Sequence, residues 1–433
     1  MLAIRAPMVT FTGDPFAEGV AATFRHEPDA VVAMANGLVA HAGPAAAVLP
    51  QLPEGTLVEH FGRGYLVVPG FLDLHAHYPQ ATMIASHGEQ LLGWLERHVF
   101  PAERRFEDPA HARRVAEVFV RECLRAGTTT VASFCTVHAH SVDALFEAAA
   151  AHRMRVIAGK VLMDRHAPAW LLDTAQRGYD ESKALLDRWH GRGRALYAVT
   201  PRFAGTSTPA QLEAAAALWR AHDGTWLQTH LAENRDEVAW VGELFPGCRD
   251  YVEVLERHGL LGPRALLGHG IWLDDDQAAR LRASGAALVH CPASNTFLGS
   301  GLFRLRDMRA RHGVPTGLGT DVGAGTSFSL LQVMGEAYKV AQLGGAALAP
   351  LHALYLATRG AATAAGLAHR VGSIAPGMEA DVVVLDLRST PLIDFRMDFC
   401  DSLEDELFVQ MVLGDDRAVR ATYVAGRCVH RRP

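Results

Sequence analysis

Leu66-Val67-Val68-Pro69-Gly70-Phe71-Leu72-Asp73-Leu74-His75-Ala76-His77 is the stretch that decides the fold. It is an apolar, strand-like run that stops on two histidines one residue apart. Alternate side chains of a strand share a face, so the imidazoles of His75 and His77 point the same way. Imidazole nitrogens suit zinc and its transition-metal neighbours. The pair is half of a metal site, and the other half has to come from later strand ends.

Three later apolar runs stop on suitable side chains. His230 closes Thr225-Trp226-Leu227-Gln228-Thr229-His230, His269 closes Ala265-Leu266-Leu267-Gly268-His269, and Asp321 closes Val314-Pro315-Thr316-Gly317-Leu318-Gly319-Thr320-Asp321. A parallel barrel gathers its strand ends at one rim, which is its catalytic face. Between residues 67 and 371 the pattern is strand then helix. Strand starts fall near Val67, Thr128, Arg155, Ala195, Thr225, Ala265, Ala287 and Val314, with helices such as Ala110 to Ala126 and Pro209 to His222 between them. Eight such units make an α/β protein with a (β/α)8 TIM-like barrel. Residues 1–66 and 372–433 instead carry short β-like runs with glycine turns, among them Met8 to Thr12, Ala30 to Met34 and Ala380 to Asp386. Both chain ends are expected to pair into one small β-sandwich domain beside the barrel.

Bulk composition narrows the classes. The chain has 433 residues, room for a large core, and a formal net charge of −6 that advertises no nucleic-acid surface. Its six cysteines, at 123, 135, 248, 291, 400 and 428, form no Cys-x-x-Cys and fit a reducing compartment. Met1 to Pro7 lacks the apolar stretch of a signal peptide, and no apolar run is long enough to span a bilayer. The expectation is a cytoplasmic protein with no nucleic-acid or membrane partner.

His75, His77, His230 and Asp321 offer three imidazoles and one carboxylate. Protein ligands of this number and kind, with a water in the open position, make a catalytic zinc site that activates the water for hydrolysis. Hydrolysis also needs a proton shuttle. Glu233, three residues beyond His230, can reach both the water and a substrate ring nitrogen from the turn that leaves the strand. His269 either orients the nucleophile or adds a ligand. With 22 histidines in the chain, any single one is more often structural. His290 and the pair His138 and His140, which follow strand ends, are read that way. Glu233 alone would pass for a helix N-terminal charge. The conjunction of the motifs on separate strands favours catalysis.

These residues resemble the amidohydrolase superfamily and, within it, the guanine deaminases, nearly end to end. The stretches that carry the likeness are Pro69 to Gln80, Trp94-Leu95-Glu96-Arg97-His98-Val99-Phe100-Pro101-Ala102-Glu103, Val199-Thr200-Pro201-Arg202-Phe203, Thr229 to Glu237, and Gly317 to Gly323. The resemblance implies one Zn2+ per chain, a homodimer, and hydrolysis of the small molecule guanine to xanthine and ammonia. Gln80, Arg202 and Phe203 match the guanine-contacting positions, with Trp94 lining the pocket. Arginine donates to a carbonyl in a fixed fork, and aromatic faces cover a flat ring. Two-metal relatives bridge their ions with a lysine at the end of strand four. Here that strand ends in Arg202 and Phe203, and Lys160 belongs to strand three, which leaves one ion. The Pro-Cys-x-x-Cys of the other zinc deaminase design is absent. Two rival readings stand beside this one: an aminohydrolase of the same superfamily acting on an oxidised purine, pterin or triazine, and a barrel that has lost catalysis and serves as a binding module.

Overall fold

The computed structural model describes residues 1–433. Eight parallel strands succeed one another in chain order: Phe71–His77, Thr128–Phe134, Arg155–Gly159, Ala195–Pro201, Trp226–Leu231, Ala265–His269, Ala287–His290 and Thr316–Leu318. A two-residue strand, Val161–Leu162, extends the third position against Ala195–Pro201. The first and last strands meet through the residues beyond Leu318. The Asp321 N–H donates to the His75 carbonyl at 2.8 Å and the His77 N–H to the Val322 carbonyl at 3.0 Å. The Asp73 carboxylate takes the Thr320 N–H at 2.9 Å on the same seam.

The helices between the strands start where the sequence supplies caps. Asp108 accepts from the Ala110 N–H ahead of Pro109–Arg125, and Thr208 from the Gln211 N–H ahead of Pro209–Ala221, with proline in the first turn of each. Val115, Ala116, Phe119, Val120 and Cys123 form the stripe that the first of these helices buries. No helix is long and apolar enough to cross a membrane.

Both chain ends enter one second sheet of eight strands. Leu2–Phe11, Phe24–Ala35, Leu38–Pro44, Leu57–His60 and Tyr65–Pro69 come from the N-terminal end; Val382–Asp386, Val419–Val424 and Arg427–Arg431 come from the C-terminal end. Alternation sorts their side chains. Ile4, Val32, Val67, Val384 and Tyr423 share one apolar cluster. Val9, Phe11, Leu66, Val68 and Val383, from the opposite face, join the barrel's core. A buried charge cluster spans the two parts. Arg155, at the start of the third barrel strand, donates to Glu379 at 2.6 Å, and Arg194 pairs with both Glu379 and Asp381.

The expected start of the barrel at residue 67 is corrected. Val67 lies in Tyr65–Pro69, which runs antiparallel to Val382–Asp386 in the second sheet, with Val68 opposite Val383. The chain changes sheets at Gly70. Its N–H donates to the Asp381 carbonyl at 2.9 Å, and a Cβ there would stand 2.2 Å from the Thr129 hydroxyl. Asp321 is likewise not at a strand terminus, since the eighth strand ends at Leu318, three residues earlier.

Candidate functional site

Four imidazoles crowd the rim where the strands end. His75 and His77 close the first strand, His230 is the penultimate residue of the fifth, and His269 ends the sixth. His77 Nε2 and His230 Nε2 stand 3.1 Å apart. Asp321 Oδ1 lies 3.4 Å from both His75 Nε2 and His77 Nε2, and Asp321 Oδ2 lies 3.8 Å from His269 Nε2. The donor atoms of His75, His77 and His230 all fall within 4.8 Å of one another, and so do those of His75, His269, Cys291 and Asp321.

Close packing makes this crowding possible. A Cβ on Gly268 would lie 2.6 Å from the His75 ring, and one on Gly319 would lie 2.8 Å from the His75 Cβ. The backbone of His269 (φ 71°) and of Asp321 (φ 50°) is left-handed, a conformation that costs a non-glycine residue about 1–3 kcal/mol and persists where surrounding structure enforces it.

Electrostatics fit a cation. Burial drives the His77 and His230 rings well below the ordinary histidine range and lowers His75 as well, so all three are neutral donors at neutral pH. Burial by itself would raise Asp321, yet the His75, His269 and His230 rings outweigh it and hold the carboxylate ionised. His75 Nε2, His77 Nδ1 and His269 Nε2 are buried and meet no hydrogen-bonding partner in the protein. Three neutral imidazoles with one carboxylate beside two of them are donors of the kind transition metals take. The His230 Nδ1 contact with the Arg202 carbonyl (2.8 Å) fixes that ring's tautomer, as metal-binding histidines require.

Glu233 lies beside this cluster. Its Oε2 is 3.5 Å from His269 Nε2, and its Oε1 accepts from the Ser300 hydroxyl at 3.2 Å. Burial pushes its carboxyl up to about 7. His269 is held from the other side by Asn295 Oδ1, 2.8 Å from Nδ1. Burial opposes charging His269, but Glu233 and Asp321 outweigh that and raise it.

A cavity opens over the cluster. Gln80, Trp94, Arg202, Phe203, Glu233 and Asp321 all line it, with Leu91, Leu95, Val99 and Leu298 as apolar walls. The connection after His77 supplies Gln80, the helical turn Leu91–Trp94, and the wider i→i+5 turn Leu95–Val99, a form frequent at functional sites.

Of the histidines expected to be structural, His140 contacts the Phe106 carbonyl through its ring, His138 sits at the N-cap position of Ala139–Ala151 without a side-chain bond to that helix, and His290 ends the seventh strand and stacks on Phe303. Lys160 is enclosed by Asp173 and Glu181. Sequence reasoning missed Glu103, Glu237, Asn295 and Ser300. Glu103 pairs with Arg202 at 2.8 Å. Glu237 takes the Glu233 and Asn234 N–H groups at 2.7 and 3.1 Å. A capping-box glutamate at Asn234-x-x-Glu237 is visible in the sequence. Nothing in the sequence marks Asn295 or Ser300, which come from a different connection, after the seventh strand.

Residues 66–429 match the amidohydrolase family model. The chain is 48% identical to the guanine deaminase of Escherichia coli K12 over 415 residues, 96% of this chain and 94% of that one. The solved E. coli guanine deaminase superposes with a TM-score of 0.97 over the full length of both chains at 46% identity. A guanine deaminase of C. acetobutylicum, solved with guanine in its active site, superposes with a TM-score of 0.87 at 26% identity, covering 99% of each chain. The chain belongs to the amidohydrolase family, among its guanine deaminases.

Proposed function

We infer that this chain hydrolyses guanine to xanthine and ammonia with the help of one zinc ion per chain, and that Glu233 is its proton shuttle. The observation that carries the reading is the meeting of two features in one cavity: a set of imidazole and carboxylate donors, and a wall of Gln80, Arg202, Phe203 and Trp94. The guanine deaminase relatives support the substrate. His75, His77, His230 and Asp321 would hold the ion, which when bound lowers the pKa of a water. The enclosure of Lys160 by carboxylates supports a single ion, because it leaves no free lysine to bridge two.

The chain's own groups do the rest. Arg202 donates to the guanine carbonyl, Gln80 pairs along the other edge, and Phe203 and Trp94 cover the ring faces. Glu233 takes one proton from the attacking water and delivers it to the ring nitrogen beside the carbon that bears the amine. A carboxyl group near neutrality both accepts and donates readily. A C–O bond forms, the C–N bond breaks, and Asp321 passes the second water proton to the departing amine, which leaves as ammonia. His269, held by Asn295 and raised by its carboxylate neighbours, keeps the nucleophile in place.

Cytoplasmic placement is supported by six cysteines that form no disulfide. A homodimer is supported by the exposed apolar side chains Leu392, Phe395 and Phe399, each more than 60% accessible, a patch unusual for a monomer. The decisive test is a purine and triazine screen on metal-replete enzyme with ammonia detection. Guanine is expected to dominate, and turnover should vanish on chelation and return with zinc. Preferential release of ammonia from a pterin or a triazine would move the substrate assignment, and the absence of both metal and turnover would leave a binding module.

A further inference from the structure

Arg202 is almost completely buried, and it is a cation beside a site that must also accept a metal ion. Its Nη1 donates to Glu103 Oε1 at 2.8 Å, and its other guanidinium N–H groups make no hydrogen bond within the protein, while the side chain lines the cavity. Glu103 is fully buried, and its second oxygen, Oε2, accepts nothing. A buried carboxylate with one idle oxygen is costly, and the bond to Arg202 is the contact that offsets that cost. The two residues come from different connections: Arg202 from the exit of the fourth strand, and Glu103 from the turn Phe100–Arg104 in the connection after the first. That same connection supplies Gln80 and Trp94 to the walls. Nothing else fixes the direction of the guanidinium fork.

We propose that Glu103 is a positioning residue for substrate selection: by holding Arg202 Nη1 and balancing its charge, it aims the free edge of the guanidinium at the purine carbonyl and so makes the pocket demand that carbonyl. This rests on the reading that Arg202 meets the guanine carbonyl. Removing the partner leaves the arginine free to turn toward other acceptors, and a site built around a polar contact discriminates only while its donors stay aimed. Glu103 itself touches neither the substrate nor the ion.

The test uses two ligands that lack the amine of guanine, hypoxanthine, which carries the carbonyl with its N1–H, and purine, which carries neither, titrated by calorimetry into the wild-type, Glu103→Gln, Glu103→Asp and Arg202→Ala holoenzymes. Glu103→Gln should weaken hypoxanthine by roughly 10- to 100-fold, the range for one charge-assisted hydrogen bond, and leave purine within about threefold. Glu103→Asp should recover part of the loss. Parallel weakening of both ligands in Glu103→Gln, or no weakening of either, overturns the role of Glu103. If Arg202→Ala leaves the preference for hypoxanthine intact, the contact between Arg202 and the carbonyl has failed instead, and the proposal falls with it.

Discussion

Glu233→Gln keeps the volume and reach of the side chain and removes only its capacity to take up a proton. The surroundings tolerate the change. The Ser300 hydroxyl that donates to Oε1 can donate equally to an amide oxygen, and the Glu233 N–H is held by Glu237 at 2.7 Å whatever the side chain carries. Glu233 lies outside the group formed by His75, His77 and His230, so zinc content should hold at the wild-type level. A positioned acid–base group contributes roughly 10²- to 10⁴-fold, or about 3–5 kcal/mol of barrier. On the proposed mechanism Glu233 acts twice in one turnover, on the water and on the ring nitrogen, and burial has brought its carboxyl to about 7, where both transfers would be efficient. The upper half of the range is therefore expected, a fall in kcat of roughly 10³- to 10⁴-fold with KM nearly unchanged. The assay is ammonia release from guanine, with elemental analysis of the same sample. A variant that keeps its zinc and turns over within tenfold of wild type refutes the shuttle role. A variant that loses zinc in step with activity places Glu233 among the ligands.

Three further outcomes follow from the packing. Gly268→Ala puts a methyl 2.6 Å from the His75 ring and should cut bound zinc per chain severalfold in elemental analysis while the circular dichroism of the fold persists. Glu379→Ala strips the partner from Arg155, which is fully buried, and should cost about 3–5 kcal/mol in denaturant unfolding, as loss of one half of a buried ion pair does. Phe395→Glu places a charge in the exposed Leu392, Phe395 and Phe399 patch and should shift the mass seen by light scattering from dimer to monomer with the activity per site retained; an unchanged mass would remove that patch from any interface.

The barrel is legible in the sequence because short apolar runs recur in register with helical stretches, several of which open on an Asp or Thr cap. The run from Leu66 to His77 is harder. Every residue from Leu66 to His77 is buried, in two different sheets, so no alternation marks where one sheet ends and the other begins. The break falls on Pro69 and Gly70, where the close approach of Thr129 requires a residue without a Cβ. His75, His77 and His230 meet because a parallel barrel brings strand ends to one rim, while Asp321 joins them from three residues beyond its strand. The groups that hold them could not be read from the sequence. Asn295 reaches His269 from 26 positions away, Glu103 reaches Arg202 from 99, and neither has a local pattern that announces a partner. A buried arginine does imply a counter-charge somewhere. The sequence cannot say which of the 47 acidic residues supplies it.

Ligand geometry and barrel closure are one problem in this chain. The eighth strand is three residues long and leaves the ladder at Leu318. From there the seam with the first strand is carried by the donor residues' own backbone, through Asp321 to the His75 carbonyl and from His77 to the Val322 carbonyl. Those bonds require Asp321 to turn into the left-handed region, and that turn brings its carboxylate within 3.4 Å of both His75 and His77. A straight continuation of the strand would alternate its side chains between the barrel's interior and the helical layer, with no reason for a carboxylate to arrive between the two imidazoles. The strained residue therefore does two jobs at once: it closes the sheet, and it delivers an ionised oxygen to a point where three neutral nitrogens already converge. Backbone strain here is offset by the seam hydrogen bonds. On this geometry the site is as rigid as the barrel's own closure, and rigidity of that kind is what a hydrolase needs to hold a nucleophile against one carbon of a flat ring.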